Sequence, residues 1–189
     1  MLKKLILVAM FCCAFSSIAS PQASTVARPS AAPQIATSPN VFLKDFQTHW
    51  DTAKALALAV ADAMPAGDYS FKPTPEEMSF GQQITHIAQA NYGYCAFVAD
   101  VKSPYTEPAT DAKIDKTVVV QQLGDSFDYC TGIFSTLADA QLDQVHGEEN
   151  HKFPARDVIL GVMIHMVHHR GQAEVYLRLK GIVPPSYKW

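Results

Sequence analysis

The chain has 189 residues, of which 48% are hydrophobic, 17% charged and 10% aromatic. This composition favours a globular protein and excludes a wholly disordered, a collagen-like or a polytopic membrane protein. The 15 basic and 18 acidic residues give a formal net charge of −3, and the sequence has no block of like charges. Electrostatic nucleic-acid binding needs a clustered basic surface, so no nucleic-acid partner is expected.

Residues 1–19 have the pattern of a secretory signal peptide. Lys3 and Lys4 precede an apolar run, Leu5–Phe15, and a cleavage pattern ends at Ala19. The run is shorter than the ~20 apolar residues that span a bilayer. We therefore predict cleavage after Ala19 and an exported protein, periplasmic or secreted, without a stable membrane anchor.

The segment 20–39 has a different composition from the rest of the chain. It carries four prolines among Ala, Ser, Thr and Gln, with Arg28 as its one charged residue. Such a segment buries too little apolar surface to offset the entropy of ordering it, so we predict a disordered leader. The folded domain is then 40–189, which is long enough for one four-helix bundle.

Helical periodicity and end signals predict an all-α fold. No segment shows the sustained two-residue alternation that is typical of strands in hairpins. The predicted helices are Val41–Ala63, Ser79–Val101, Ile114–Ala140 and Pro154–Lys180.

Local signals support the ends and the buried sides of these helices. Asn40 is the predicted N-cap of the first helix, Ser79 and Gln82 fit a capping box on the second, and Gly181 suits the C′ position of the fourth. Apolar stripes predict the core-facing sides of the first and third helices: Phe42, Phe46 and Trp50, then Leu123, Phe127, Cys130, Phe134 and Leu137.

Polar residues interrupt the predicted core-facing seam of the fourth helix. His165 and His169 are four residues apart, hence on one face and about 6 Å apart along the axis, so both rings can reach one metal ion. Gly161 and Gly171 flank the pair. Each costs about 1 kcal/mol in a helix interior, which predicts close approach of another helix or a ligand. The predicted seam comprises Val158, Val162, His165, His169, Gln172, Tyr176 and Leu179.

A bare histidine pair at this spacing is more often a surface or hydrogen-bonded core feature than a metal site. A third ligand would change that balance, and His86 on the second helix is the best placed candidate. Within the fourth helix, His168 is the competing ligand, because positions 165 and 168 also share a face. His49 is predicted to be exposed, and His146 and His151 to lie in a polar loop.

Five segments of the predicted bundle carry recognisable motifs: Tyr69–Glu76, Ser79–Ala88, His165–Gln172, Tyr176–Arg178 and Gly181–Pro185. Together they resemble the DinB-like (damage-inducible, YfiT-type) family. The first two resemble the start of the family's second helix, and the other three resemble its last helix. The resemblance extends over essentially the whole predicted bundle, 41–187.

The resemblance implies a four-helix bundle in down-up-up-down order, with a long crossover between helices 2 and 3. It also implies a divalent metal site of three histidines, which in this chain are His86, His165 and His169. Zinc, nickel and iron all accept imidazole ligands, so the ion is left open among them. Three nitrogen ligands leave room for water, whose lowered pKa would make it the catalytic group.

Two functions follow from this resemblance. The first is a metal-dependent hydrolase or transferase that acts on a small-molecule substrate. The alternative is a non-catalytic bundle in which the ion is structural or the pocket only binds a ligand. A fourth protein ligand would favour the structural role, whereas an open coordination position would favour catalysis. A homodimer is also compatible with the sequence.

Cys95 and Cys130 are the cysteines that remain after the predicted cleavage. They are either two buried thiols, a common state of free cysteine, or a disulfide, which export to an oxidising compartment favours. The parallel course of helices 2 and 3 that the resemblance implies places them at equal depth. In an antiparallel pair, the two cysteines would be separated by about 15 Å along the helix axis, beyond the ~7 Å Cα limit for a disulfide.

Overall fold

The computed structural model describes residues 41–106 and 114–187. The predicted signal peptide, the predicted leader, the predicted cap Asn40 and residues 107–113 of the predicted crossover lie outside the described residues. Within the described residues, no helix is both long enough and apolar enough to cross a membrane.

The described part of the chain contains four α-helices, as predicted. Both ends of α1 are where the periodicity placed them, and the other ends differ from the predictions by at most a few residues. The third helix ends earlier than predicted, because the chain turns into a short 3₁₀ helix, Asp139–Asp143. The helices are α1 Val41–Ala63, α2 Phe80–Val98, α3 Lys116–Thr136 and α4 Ala155–Leu179.

The prediction of no strands missed a small hairpin before α4. Strand β1, Val145–His146, pairs antiparallel with β2, Phe153–Pro154. Each strand has two residues, too few for an alternation of apolar and polar positions to show in the sequence. The fold class remains all-α.

The predicted end signals of α2 and α4 are confirmed. At the start of α2, the Ser79 hydroxyl accepts from the backbone N–H of Gln82 at 3.2 Å, and the backbone N–H of Ser79 donates to Gln82 Oε1 at 2.7 Å. At the end of α4, Gly181 has φ 75°, and the N–H of Ile182 donates to the carbonyl of Leu177 at 2.9 Å. This pattern satisfies carbonyls that the helix end would otherwise leave without partners.

Helices α2 and α3 run parallel. Asn91 donates from its side chain to the Ser126 hydroxyl at 3.1 Å, and one turn further along both helices a disulfide joins Cys95 to Cys130. Both partners advance by the same number of residues between the two contacts, which is possible only for parallel helices. The Cα atoms of the two cysteines are 5.4 Å apart.

Helices α1 and α3 run antiparallel. Close to the middle of both helices, Trp50 Nε1 donates to the carbonyl of Phe127 at 3.4 Å. Near the end of α1, the carbonyl of Asp62 accepts from Lys116 Nζ at 2.6 Å, at the start of α3. The two helices therefore share a long interface whose aromatic core is the predicted one: Phe46, Trp50, Phe127 and Phe134 are all buried.

Helices α2 and α4 also run antiparallel. The Tyr176 hydroxyl donates to the carbonyl of Met78, just before α2, at 3.0 Å, whereas Tyr94 near the end of α2 contacts His165 in the middle of α4. The helix α1 packs mainly on α3 and α4, and α2 packs on the same two helices. The four directions together give the down-up-up-down order, with α1 and α2 on opposite corners of the bundle.

The predicted core-facing seam of α4 is wrong in part. Val158, Val162 and Tyr176 are buried, but Leu179 is 58% exposed, and the two histidines lie half-buried at the edge of the seam. Apolar residues occur on two faces of this helix, so periodicity alone could not select the buried one. The residues of α4 that are at most 1% exposed are Ala155, Ile159, Val162, Met166, Ala173 and Leu177.

The predicted close approach at Gly161 and Gly171 is not made within the described chain. A Cβ atom added at either position would have no described atom within 4 Å. Close packing occurs instead at Gly81, where an added Cβ would overlap the side chain of Ile114. The two glycines of α4 therefore have no packing role that the described residues explain.

Candidate metal centre

Three imidazole rings from two helices meet at the α2–α4 interface. His86 lies on α2, and His165 and His169 lie one turn apart on α4, so the antiparallel packing of the two helices brings all three together. Their ligand nitrogens all lie within 4.8 Å of one another, and all three side chains are half-buried. The ring centroids are 4.5 to 5.0 Å apart. The group could bind a metal ion.

Gln83 fixes the orientation of one ring. Its side chain is 2% exposed, and its Oε1 lies 2.7 Å from His169 Nδ1. Since the amide oxygen accepts, Nδ1 donates its proton and Nε2 keeps the lone pair that a metal ligand needs. Imidazole ligands commonly donate their second N–H to a fixed acceptor in this way.

The sequence analysis did not identify Gln83 as a functional residue. The sequence offers one signal that could have identified it. Gln83 lies one turn before His86 on the same face of α2, where the helix is buried. A buried glutamine needs a partner, and the histidine opposite supplies it.

His165 carries a polar atom that the described residues leave unsatisfied. Its Nδ1 is buried and has no hydrogen-bond partner in the described part of the chain. An unsatisfied buried nitrogen costs free energy, and an ion bound at this nitrogen would compensate for that cost. The donor set of neutral nitrogens, one braced by Gln83, fits a divalent ion such as zinc, nickel or iron.

The pKa values of two of the histidines favour the neutral form. Burial lowers the pKa of His169 to about 4, with a further lowering from His165, His86 and His168. Burial also lowers the pKa of His165, with contributions from His86 and His168. Neutral imidazole is the form that binds metal, so little proton competition is expected at neutral pH.

The lowered pKa of His169 predicts that the metal-free protein loses stability as the pH falls. The unfolded chain takes up a proton near pH 6.5, whereas the folded chain does so only near pH 4. Between these values the unfolded state binds more protons, so the free energy of unfolding decreases as the pH is lowered from 6.5 to 4. Urea unfolding in the presence of a chelator measures this decrease. A His169→Gln variant should show a shallower one, and an equal slope in both proteins would contradict the prediction.

The other histidines stay outside the cluster. His168 is exposed, and its Nε2 lies 3.1 Å from Gln172 Nε2. Its ring does not belong to the group of three histidines whose nitrogens lie close together. His49 is exposed, as predicted. His151, in the loop of the hairpin, is exposed, whereas His146 lies in β1 and is only 8% exposed. The prediction that both lie in a polar loop therefore holds for His151 and not for His146.

Replacing Gln83 with alanine should weaken metal binding without removing a ligand. The variant loses the acceptor that holds the His169 ring, and loss of such a contact typically lowers metal affinity about 10- to 100-fold. Competition against a chromophoric chelator measures the change. Gln121→Ala on the exposed side of α3 is the matched control, and Gln83→Glu, which keeps an acceptor, should recover part of the affinity. Unchanged affinity in Gln83→Ala would show that the contact does not position the ring.

Comparison with known proteins places the chain in a family. Residues 49–173, more than half of the chain, match the DinB superfamily. A solved DinB-like protein from Bacillus subtilis is 20% identical with a TM-score of 0.63, covering 76% of this chain and 96% of that chain. One from Bacillus cereus is 16% identical with a TM-score of 0.66, covering 77% and 97%. No curated protein gives a significant match. The two structures support the fold alone, and the family match shows that the chain belongs to the DinB superfamily.

Proposed function

We propose that this protein is an exported metal-dependent hydrolase or transferase that acts on a small molecule. In this proposal a divalent ion, zinc, nickel or iron, is held by His86, His165 and His169. The observation that carries the proposal is the meeting of three imidazoles whose ligand nitrogens lie within 4.8 Å of one another. Export is proposed from the signal pattern in residues 1–19.

Three protein ligands favour catalysis over a purely structural role. Structural zinc sites are normally closed by four protein ligands, whereas catalytic sites use three and keep a position for water or substrate. Among the described residues, the metal-ligating side chains that gather here are the three histidines. All three side chains are half-buried, so the cluster lies at the surface of the bundle rather than in its interior.

The chain contributes binding and orientation to this chemistry. When bound, a divalent ion supplies Lewis acidity that polarises a group brought to it. Gln83 keeps the proton of His169 on Nδ1, and the ring of Tyr94 lies 5.8 Å from that of His165, where it borders the cluster. Tyr94 is 37% exposed, so it could contact a substrate that approaches the histidines.

A non-catalytic role is the second candidate. The cluster bridges α2 and α4, so an ion there would also hold the two helices together. An ion with that role alone would raise stability without supporting any reaction. The two roles predict different results for the same set of protein samples.

The test compares metal-loaded, metal-free and reconstituted protein in a screen of hydrolase and transferase substrates. We expect turnover only in the loaded and reconstituted samples, with metal content measured by elemental analysis. His151→Ala, which removes an exposed histidine outside the cluster, should behave as the wild type. Undiminished turnover in verified metal-free protein would refute the proposal, and stoichiometric metal that only raises the unfolding temperature would support the non-catalytic role.

A further inference from the structure

A cavity lies at the C-terminal end of α2, beside the hairpin. Its volume is about 780 Å³. Phe97 and Asp100 line it from the end of α2 and the turn that follows, and His146, Glu148 and Phe153 line it from the hairpin. We call this space the hairpin cavity. It is large enough to hold one end of a small organic molecule.

The hairpin cavity lies on the same side of α2 as the metal centre. About three helical turns separate His86 from Phe97, so both residues lie on one face, about 16 Å apart along the axis. Between them, the ring of Tyr94 lies 5.8 Å from that of His165. The ring of Phe97, one turn further along, lies 5.8 Å from that of His146. Neighbouring aromatic side chains of α2 therefore connect the metal centre with the cavity.

The helix surfaces between the two places carry little side-chain bulk. Gly93 lies on the same side of α2 as His86, and Gly161 lies on the same side of α4 as His165. An added Cβ at either glycine would have no described atom within 4 Å. A ligand that extends from the histidines to the hairpin cavity would have room at both glycines.

Asp100 occupies a position that is unfavourable for an acidic residue. Its φ is 56°, in the left-handed region that favours glycine. It also follows the C-terminal end of α2, where the helix dipole is negative and disfavours a carboxylate. Its side chain has no ion-pair or hydrogen-bond partner among the described residues that would compensate for these costs. Residues that break local rules in this way are concentrated at functional sites.

The lining of the hairpin cavity is acidic and aromatic. Its charged groups among the described residues are the carboxylates of Asp100 and Glu148, without a lysine or an arginine. Phe97 and Phe153 are 38% and 46% exposed, and the face of an aromatic ring attracts a cation. These groups together favour a protonated amine or a guanidinium over a neutral or an anionic group.

His146 adds a polar group that needs a partner. The residue is 8% exposed and lines the cavity, and its ring nitrogens make no hydrogen bond with any described residue. A buried polar group without a partner costs free energy. A neutral imidazole has one nitrogen with a free lone pair, which can accept a hydrogen bond from the N–H of a bound amine.

We propose that the hairpin cavity is a substrate subsite that binds a cationic end group, a protonated amine or a guanidinium. This inference rests on the proposed function, because the reacting group of the same substrate would lie at the three histidines. The substrate is then an elongated small molecule whose positive charge lies about 16 Å from its reacting group.

The first test uses metal-free protein, so that its result does not depend on the metal centre. Isothermal titration calorimetry compares phenethylamine with 2-phenylethanol, a neutral molecule of nearly the same shape. We expect the amine to bind at least about tenfold more tightly, through the carboxylates and the aromatic rings. It should also shift the nuclear magnetic resonance signals of the His146 ring. Equal affinities of the two molecules would overturn the proposal.

The second test removes the carboxylates. Asp100→Asn combined with Glu148→Gln should abolish the preference for the amine. Asparagine tolerates the left-handed conformation, so the variant should unfold at a temperature no lower than the wild type. Glu149→Gln is the matched control, because this exposed residue of the same loop does not line the cavity. A preference that survives in the double variant would overturn the proposal.

The third test measures whether one molecule reaches both places. Metal-loaded protein is titrated with hydroxamates that carry an amine at the end of chains of increasing length. Affinity should be highest for a span of about 16 Å, and this maximum should disappear in the double variant. Amine and hydroxamate binding without such a maximum would overturn the subsite. Absence of hydroxamate binding, with amine binding intact, would refute the proposed function and still support the cavity as a cation site.

Discussion

Replacing His165 with alanine is expected to abolish stoichiometric binding of a divalent ion. The cluster would keep two imidazoles, one on each helix, and lose the ring whose buried Nδ1 has no hydrogen-bond partner among the described residues. Two nitrogen donors on separate helices hold an ion far less tightly than three that meet at one point. Elemental analysis after exhaustive dialysis measures the loss.

The control for this variant is His151→Ala, which removes an exposed imidazole from the hairpin and should retain the ion. His86→Ala should behave as His165→Ala does, because the ion bridges both helices. We expect each variant to fold, because a half-buried histidine at the edge of the core is not required for packing. Circular dichroism checks this. Full metal retention in His165→Ala would refute the proposed site.

Removing the disulfide is expected to lower the free energy of unfolding by about 3 to 4 kcal/mol. Cys95 and Cys130 are 35 residues apart in sequence, so the bridge restricts a sizeable loop in the unfolded chain. Replacing both with alanine avoids leaving a free thiol, although each small cavity adds to the loss because both side chains are buried. Urea unfolding of the variant against the oxidised wild type measures the difference.

A reducing agent provides an independent check of the same prediction. Reduced wild type should unfold at a urea concentration close to that of the double variant, and the variant itself should not respond to the reductant. A wild type whose stability is unaffected by reduction, with free thiols verified by alkylation, would contradict the stabilising role of the bridge.

Local signals in the sequence were sufficient for most of the fold. The ends of α1, the capping box at Ser79 and the stop at Gly181 each depend on residues within one turn of one another, so they could be predicted without knowing the tertiary structure. The bundle order was implied by the family resemblance, and the contacts between α2 and α3 confirm it.

The features that the sequence analysis missed depend on distant parts of the chain. The buried side of α4 is selected by packing on α1 and α2, because apolar residues such as Ile159 and Ile164 occur on opposite sides of the helix. Gln83 acquires its role only when α4 brings His169 within hydrogen-bond distance. The two-residue strands exist because the chain reverses between them, and so short a segment carries no periodic signal.

The parallel course of α2 and α3 has a consequence for how the protein folds. In an up-and-down bundle, neighbouring helices first meet near a short turn and then close along their length. Here the pairs Asn91 with Ser126 and Cys95 with Cys130 are equally far apart in sequence, so no short loop is available to nucleate the interface. Every α2–α3 contact must close a long loop before it gains any stabilising neighbour. We therefore expect slower folding than for an up-and-down bundle of the same size, since folding rates fall as the mean sequence separation of contacts rises.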